Sequence, residues 1–199
     1  MRKKAPLTIA LPKRASMTIG HGGLNMKARE IMNKPDSMSD QDWELLKAQT
    51  SSLERIKRDA QADVEAYLSH PEGRSTGAGP DSTVPTGLPT LLLTTIGRKS
   101  GEKRITPLVF LQHGKDMVVV GSLAGYDKHP AWYLNIKKNP GCQVQLDRNK
   151  MAANARDATA TERETLWPEL TTMFPNWGFF QSQTDRPFPI VILSPTGPA

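Results

Sequence analysis

The residues predict an α+β chain built around a small, mostly antiparallel β-barrel. Three observations carry that expectation. Short β-type runs fall at about 89–97, 104–112, 116–123, 142–147 and 150–158, with a last one from Phe188 to Leu193. Tight links such as His113-Gly114-Lys115 and Asp147-Arg148-Asn149-Lys150 join several of them as hairpins. Only two helical patterns interrupt the strands, giving the order β-β-β-α-β-β-α-β.

Residues 1–37 come first. They hold eight Lys/Arg and two Asp/Glu, with Gly20 to Gly23 and no usable periodicity, and read as a disordered basic tail. Met38, in Met38-Ser39-Asp40-Gln41-Asp42-Trp43, is a second candidate for the true start. Residues 38–199 carry eighteen Lys/Arg and eighteen Asp/Glu, so the formal +6 belongs to the tail. The body therefore lacks the basic surplus of a nucleic-acid binder, and any basic face is local. An anchor on acidic lipid would be weak, because no amphipathic helix supports it. The apolar segment Leu7 to Leu11 is bracketed by Pro6 and Pro12 and followed by Lys13-Arg14, which argues against an export signal. No apolar run approaches the ~18–20 residues of a bilayer span. The cytoplasm is the expected compartment.

From Asp40 to Ser69 the pattern is helical. Leu46, Leu53, Ile56, Ala60, Val64, Tyr67 and Leu68 recur at threes, fours and sevens. Ser39 or Asp40 is a plausible cap, and His70-Pro71 followed by Gly73 stops the run. Packing on the side of the barrel is the simpler role for residues 38–70; docking a partner is the alternative. Residues 71–87, rich in Gly, Ser, Thr, Pro and Asp, form a linker to the domain at 88–199.

The barrel region opens on Leu91 to Ile96, then the basic turn Gly97-Arg98-Lys99-Ser100-Gly101-Glu102-Lys103-Arg104, then Ile105 to Leu111. Four cations against Glu102 give this turn a local charge of +3. Gly97 and Gly101 offer positive φ, which would let successive N–H groups converge on one point. Arg forks beside such donors grip phosphate well. A solvated hairpin tip is the alternative. After the third strand comes Gly121-Ser122-Leu123-Ala124-Gly125, and a short helix begins at Pro130. Further on, Thr159 or Thr161, with an acidic residue three positions later, opens a helix containing Leu166, Leu170, Met173 and Phe174. Pro168 should kink it or restart it.

Cys142 is the single cysteine, so there is no internal disulfide, and its alternating neighbours Gln143 and Gln145 place it on a strand. The four histidines show no ligand spacing, so no metal is expected. Neither a Ser/His/Asp set nor a carboxylate pair stands at informative spacing. That pattern suits chemistry in which a cofactor carries the reactive bond.

The ordered series GRKSGEKR, TPL, the Gly121–Gly125 loop, KHPAWYLN, ARDAT, LWPEL, FPNWGFF, QSQTDR and Pro187-Phe188-Pro189-Ile190-Val191 closely resembles the deazaflavin (coenzyme F420)-dependent nitroreductase and F420H2-dependent quinone reductase family. The resemblance runs from about Leu88 to Pro195. It implies a flavin-reductase-like split β-barrel, and hydride transfer from reduced F420 to a quinone-like, nitro or other activated acceptor. By motif match, Arg98, Lys99 and Arg104 would hold the anionic phosphate and oligoglutamate tail. Thr106, Pro107 and Leu108 would run beside the cofactor, and Ser122 would sit at the reacting end as the catalytic side chain. Lys128 and Trp132 would line the cofactor from the helix side; core packing is the alternative for Trp132.

Two departures from the family pattern stand out. The family often places a Lys and two glycines after the loop serine, where this chain has Leu123-Ala124-Gly125. Tyrosines spaced by three in the family's nitroimidazole reducer read here as Phe174, Trp177 and Phe180. The aromatic wall is kept for stacking flat acceptors, without phenolic donors. A carrier that binds F420 or flavin without efficient turnover is the alternative function, and an FMN-using oxidase on the same barrel is a third.

Overall fold

A computed structural model describes residues 34–36, 38–69 and 87–199. Nearly all of the expected tail and linker lies outside the described residues. Two helices, α1 (Asp40–Gln49) and α2 (Leu53–Ser69), precede β1 (Thr90–Ile96), β2 (Lys103–His113) and β3 (Asp116–Val120). A single 3-10 turn at Leu123–Gly125 leads to α3 (Ala131–Lys138) and then to β4 (Gly141–Leu146) and β5 (Asn149–Asp157). Helices α4 (Ala160–Met173) and α5 (Asn176–Ser182) follow, and β6 (Ile190–Pro198) ends the chain.

The six strands close into a barrel in the order β1-β2-β3-β6-β5-β4, with β4 returning to pair with β1 and every neighbour antiparallel. Two tight turns set the registers. Gly114 at φ +59° links β2 to β3, and Asp147 at φ +52° links β4 to β5.

Period-two alternation sorts the β3 and β6 side chains between two cores. Met117, Val119, Val191 and Leu193 join Leu91, Leu93, Phe110, Val144, Ala153 and Ala155 inside the barrel, together with Trp132 and Ile136 of α3. Val118, Val120, Ile190 and Ile192 face outward, under Leu166 and Leu170 of α4 and Trp177 and Phe180 of α5. Trp43 and Leu46 of α1 complete this second core. Burying each of the two leucines of α4 stabilises the packing by roughly 2 kcal/mol.

Four helical expectations change. The segment 40–69 is two helices. Thr50 and Ser51 turn their hydroxyls back to the carbonyls of Leu46 and Ala48, both at 2.8 Å, which ends α1. Ser52 Oγ then accepts from the Arg55 amide at 3.0 Å and caps α2. Leu68, expected on the buried face, is exposed, while Val64 and Tyr67 pack on Leu92. Pro168 does not restart the helix; α4 runs through it behind a capping box of Thr159 and Glu162. The FPNWGFF stretch adds a helix, α5, that strand-and-turn reading left out. Among the described residues, no helix is long and apolar enough to cross a membrane.

Candidate functional site

The basic turn between β1 and β2 is ordered by its own backbone. The Gly97 amide donates to Glu102 O at 2.8 Å, and the Gly101 amide donates to Gly97 O at 2.8 Å. Gly101 adopts φ +74°. Gly97 does not take positive φ; a Cβ there would lie 2.7 Å from the rotatable Ser100 Oγ and 3.2 Å from the Glu102 carbonyl, a tight backbone approach. The Arg98 amide donates to Asn135 Oδ1 at 3.1 Å, and the Glu102 amide donates to Ser100 Oγ at 3.3 Å. Four of the turn's N–H groups are thus used internally. These four amides are thereby taken from the expected convergence on an anion, and the turn carries its basic side chains on that bonded backbone.

Asn135 of α3 is the keystone of that platform. It is buried, and its Nδ2 donates to Thr95 Oγ1 at 3.0 Å while its Oδ1 also receives Arg98 Nη1 at 3.4 Å. Lys138, one turn later, donates from Nζ to the Arg98 carbonyl at 3.0 Å.

The loop after β3 sits opposite. Gly121 is pressed against Pro189, where a Cβ would meet the ring at 2.6 Å. Leu123 at φ +45° and Ala124 at φ +50° then adopt left-handed backbone where the family often has Lys and Gly. Each left-handed non-glycine costs about 1–2 kcal/mol. Ser122 lies at the start of this strained stretch, and among the described residues its hydroxyl makes no hydrogen bond.

Turn, loop and helices enclose one groove of about 1360 Å³. Arg98, Thr106, Pro107, Leu108, Ser122, Lys128, Trp132, Phe174, Trp177 and Phe180 all line it. Lys99 and Arg104 do not. Arg104 reaches back to Glu102 at 2.7 Å, with both side chains largely exposed. Trp132, Trp177 and Phe180 are 6%, 4% and 6% exposed, so each is a core residue as well as part of the wall. Phe174 is half-buried and meets Trp177 edge-on, with ring centroids 5.3 Å apart.

One wall was not anticipated as part of the site. Leu45, Leu46, Gln49 and Thr50 of the α1 region and Leu53, Ile56, Lys57 and Ala60 of α2 roof the groove. The roof is pinned at two tyrosine hydroxyls. Tyr126 donates to Thr50 O at 3.0 Å, and Tyr67 accepts from the Asp147 amide at 2.8 Å. The unused signal was the apolar face of the 40–69 pattern, read only as packing. Cys142 lies half-buried on β4, and burial pushes its thiol up to about 11, which suits a structural thiol.

The donor set fits an acidic, flat, ring-bearing cofactor. Arg98, Lys128 and Lys57 supply positive charge to the groove, Ser122 an unengaged hydroxyl, and Trp132 with Thr106 to Leu108 a surface beside it. The family model for F420H(2)-dependent quinone reductase matches residues 70–195. A Mycobacterium tuberculosis relative bearing that name is 34% identical over 108 residues, covering 54% of this chain and 91% of its own length. A second F420H(2)-dependent quinone reductase from that species is 29% identical over 124 residues, covering 61% and 83%. Among solved structures, an F420-H2 dependent reductase (FDR-A) is 36% identical, with TM-score 0.50 over 53% of this chain and 94% of that one. A domain-swapped dimer is 30% identical, with TM-score 0.51 over 72% and 100%.

Proposed function

The chain belongs to the F420H(2)-dependent quinone reductase family, and from that premise we propose that its groove seats F420H2 beside a quinone-like acceptor. When bound, the reduced deazaflavin supplies a hydride. Arg98 and Lys128 would hold the coenzyme's acidic portion, with Arg98 fixed in place by Asn135. Lys99, exposed beside the turn, would contribute long-range attraction. Thr106 to Leu108 and Trp132 would flank the ring system. Ser122 would donate a hydrogen bond to the oxygen that gains negative charge as the hydride arrives.

Ligand pockets commonly span roughly 300–1000 Å³, and about 1360 Å³ leaves room for an acceptor beside the coenzyme. Phe174, backed by Trp177 and Phe180, would stack a flat acceptor, while Leu45, Leu53 and Ile56 of the roof would exclude water and favour apolar rings. Among the described residues no phenol lines this wall, so a nitro acceptor lacks the tyrosine donors that the family's nitroimidazole reducer places there, while a quinone can still stack on the aromatic rings. A cytoplasmic setting belongs to the same proposal.

The observation that carries the reading is Ser122, whose unengaged hydroxyl lines one groove with Arg98 and Phe174. The experiment mixes the purified chain with F420H2 and menadione and follows coenzyme oxidation. Turnover that falls more than coenzyme affinity in Ser122→Ala supports the assignment. Fluorescence quenching without oxidation would make the chain a carrier, a role that Leu123 in place of the family's Lys favours.

A further inference from the structure

Arg186, between α5 and β6, holds the Ser122 loop from behind. Its Nε donates to the Tyr126 carbonyl at 3.0 Å, Nη1 to Gly121 O at 3.1 Å and Nη2 to Ser122 O at 2.6 Å. The guanidinium carbon lies 4.8 Å from the Phe188 ring centroid. Three carbonyls of a loop with two left-handed residues are thereby fixed by one side chain. The same Nη1 lies 3.4 Å from His129 Nδ1.

A guanidinium only donates, so His129 Nδ1 has to accept, and the neutral ring carries its proton on Nε2. His129 lines the groove, is half-buried, and rests against Tyr133 with centroids 5.0 Å apart. Among the described residues, its Nε2 has no hydrogen-bond partner. The charged groups acting on the ring are Arg186 and Asp157; the Asp157 carboxylate is held by Tyr133 at 3.3 Å and Lys137 at 2.7 Å. Burial first, and then the Arg186 charge, hold the imidazole below its ordinary pKa, with Asp157 opposing. A second proton would sit on Nδ1, facing a group that already donates.

We propose that Arg186 positions His129 as a neutral imidazole whose Nε2–H is a second hydrogen-bond donor into the groove, beside Ser122, for a ligand oxygen that carries or gains negative charge. The inference rests on the groove being the site. Its first test needs no ligand, so that the two can fail separately.

Long-range proton–nitrogen correlation on the labelled, ligand-free chain reads the tautomer of His129 directly. The expected result at neutral pH is the Nε2–H form, titrating below the ordinary histidine range and moving up toward it in Arg186→Gln. An Nδ1–H form, or a cationic ring at neutral pH, overturns the proposal, and the wild-type spectrum alone decides this if Arg186→Gln fails to fold. The second test compares His129→Phe with His129→Gln, whose amide N–H falls close to the place of Nε2.

His129→Phe should lower turnover with menadione or weaken F420H2 binding by about tenfold, the effect of one lost hydrogen bond in a dry site. His129→Gln should recover most of that loss. Loss of coenzyme affinity assigns the partner oxygen to the coenzyme, and loss of turnover alone assigns it to the acceptor. Equal behaviour of the two variants overturns the donor role. If wild-type chain neither binds nor oxidises F420H2, the proposed function fails, while the tautomer still decides the Arg186–His129 arrangement.

Discussion

Replacing Asn135 with Leu tests whether the platform under Arg98 is built as described. Asn135 is 4% exposed, and Thr95, which receives its Nδ2–H, is 1% exposed. The substitution keeps the branched heavy-atom skeleton with a somewhat bulkier apolar end, removes three hydrogen bonds and strands the Thr95 hydroxyl and the Arg98 amide. A stranded buried group costs about 1–3 kcal/mol. Arg98 is only half-buried, so water can reach its amide, and the expected total is about 2–4 kcal/mol. At roughly 2–4 °C per kcal/mol for a chain of this size, Tm should fall by about 5–12 °C.

The double substitution Asn135→Leu, Thr95→Val removes the stranded hydroxyl and should recover about 1 kcal/mol relative to Asn135→Leu alone, giving a measurable coupling. F420 affinity, read by fluorescence titration below Tm, should fall in both. A Tm loss below about 2 °C, or no recovery in the double variant, would refute the claim that Asn135 anchors the turn.

Arg98→Ala should raise the F420 dissociation constant at least about tenfold, while Arg104→Ala, whose side chain is spent on Glu102 outside the groove, should change it much less; equal effects in titration would return Arg104 to the site. Ala124→Gly relieves a left-handed alanine and should stabilise the chain by about 0.5–1 kcal/mol in urea denaturation; destabilisation would contradict strain at this loop. Glu162, bonded to Arg156 and to the Thr159 amide, has its carboxyl lowered from 4.5 to about 2. Because the folded value is depressed, its contribution is present above 4.5 and is lost as pH falls toward 2. Glu162→Gln should therefore flatten the Tm profile across that window, and an unchanged profile would remove the ion pair from acid stability.

Much of the barrel was legible because its signals are local. Gly114 and Asp147 mark their hairpins, and the continuous apolar runs Met117 to Val120 and Ile190 to Leu193 mark strands buried on both faces. Ser39 or Asp40, and Thr159 or Thr161, announced their helices for the same reason, and the structure uses Ser39 and Thr159. What was missed depends on distant partners or on competing uses of one residue type. Arg186 meets Gly121 across 65 positions, and Asn135 meets Arg98 across 37, separations that no spacing rule reaches. Thr50, Ser51 and Ser52 each fit a helix interior poorly but singly; only together do they divide α1 from α2. The aromatics of α5 have helical spacing, yet Pro175 and Gly178 within so short a segment masked it. Arg104, expected at the phosphate by motif match, pairs instead with neighbouring Glu102 and does not line the groove, a contact two residues away that charge counting does not resolve.

The two phenol tethers of α1 and α2 divide the molecule's labour. The helices they hold precede residues 70–195, the stretch that matches the family, while the serine loop, basic turn and α3 all lie within it. On the proposed reading, exchange of the roof for another helical pair would change which electron acceptors are admitted and would also remove Lys57, one of the cations that line the groove.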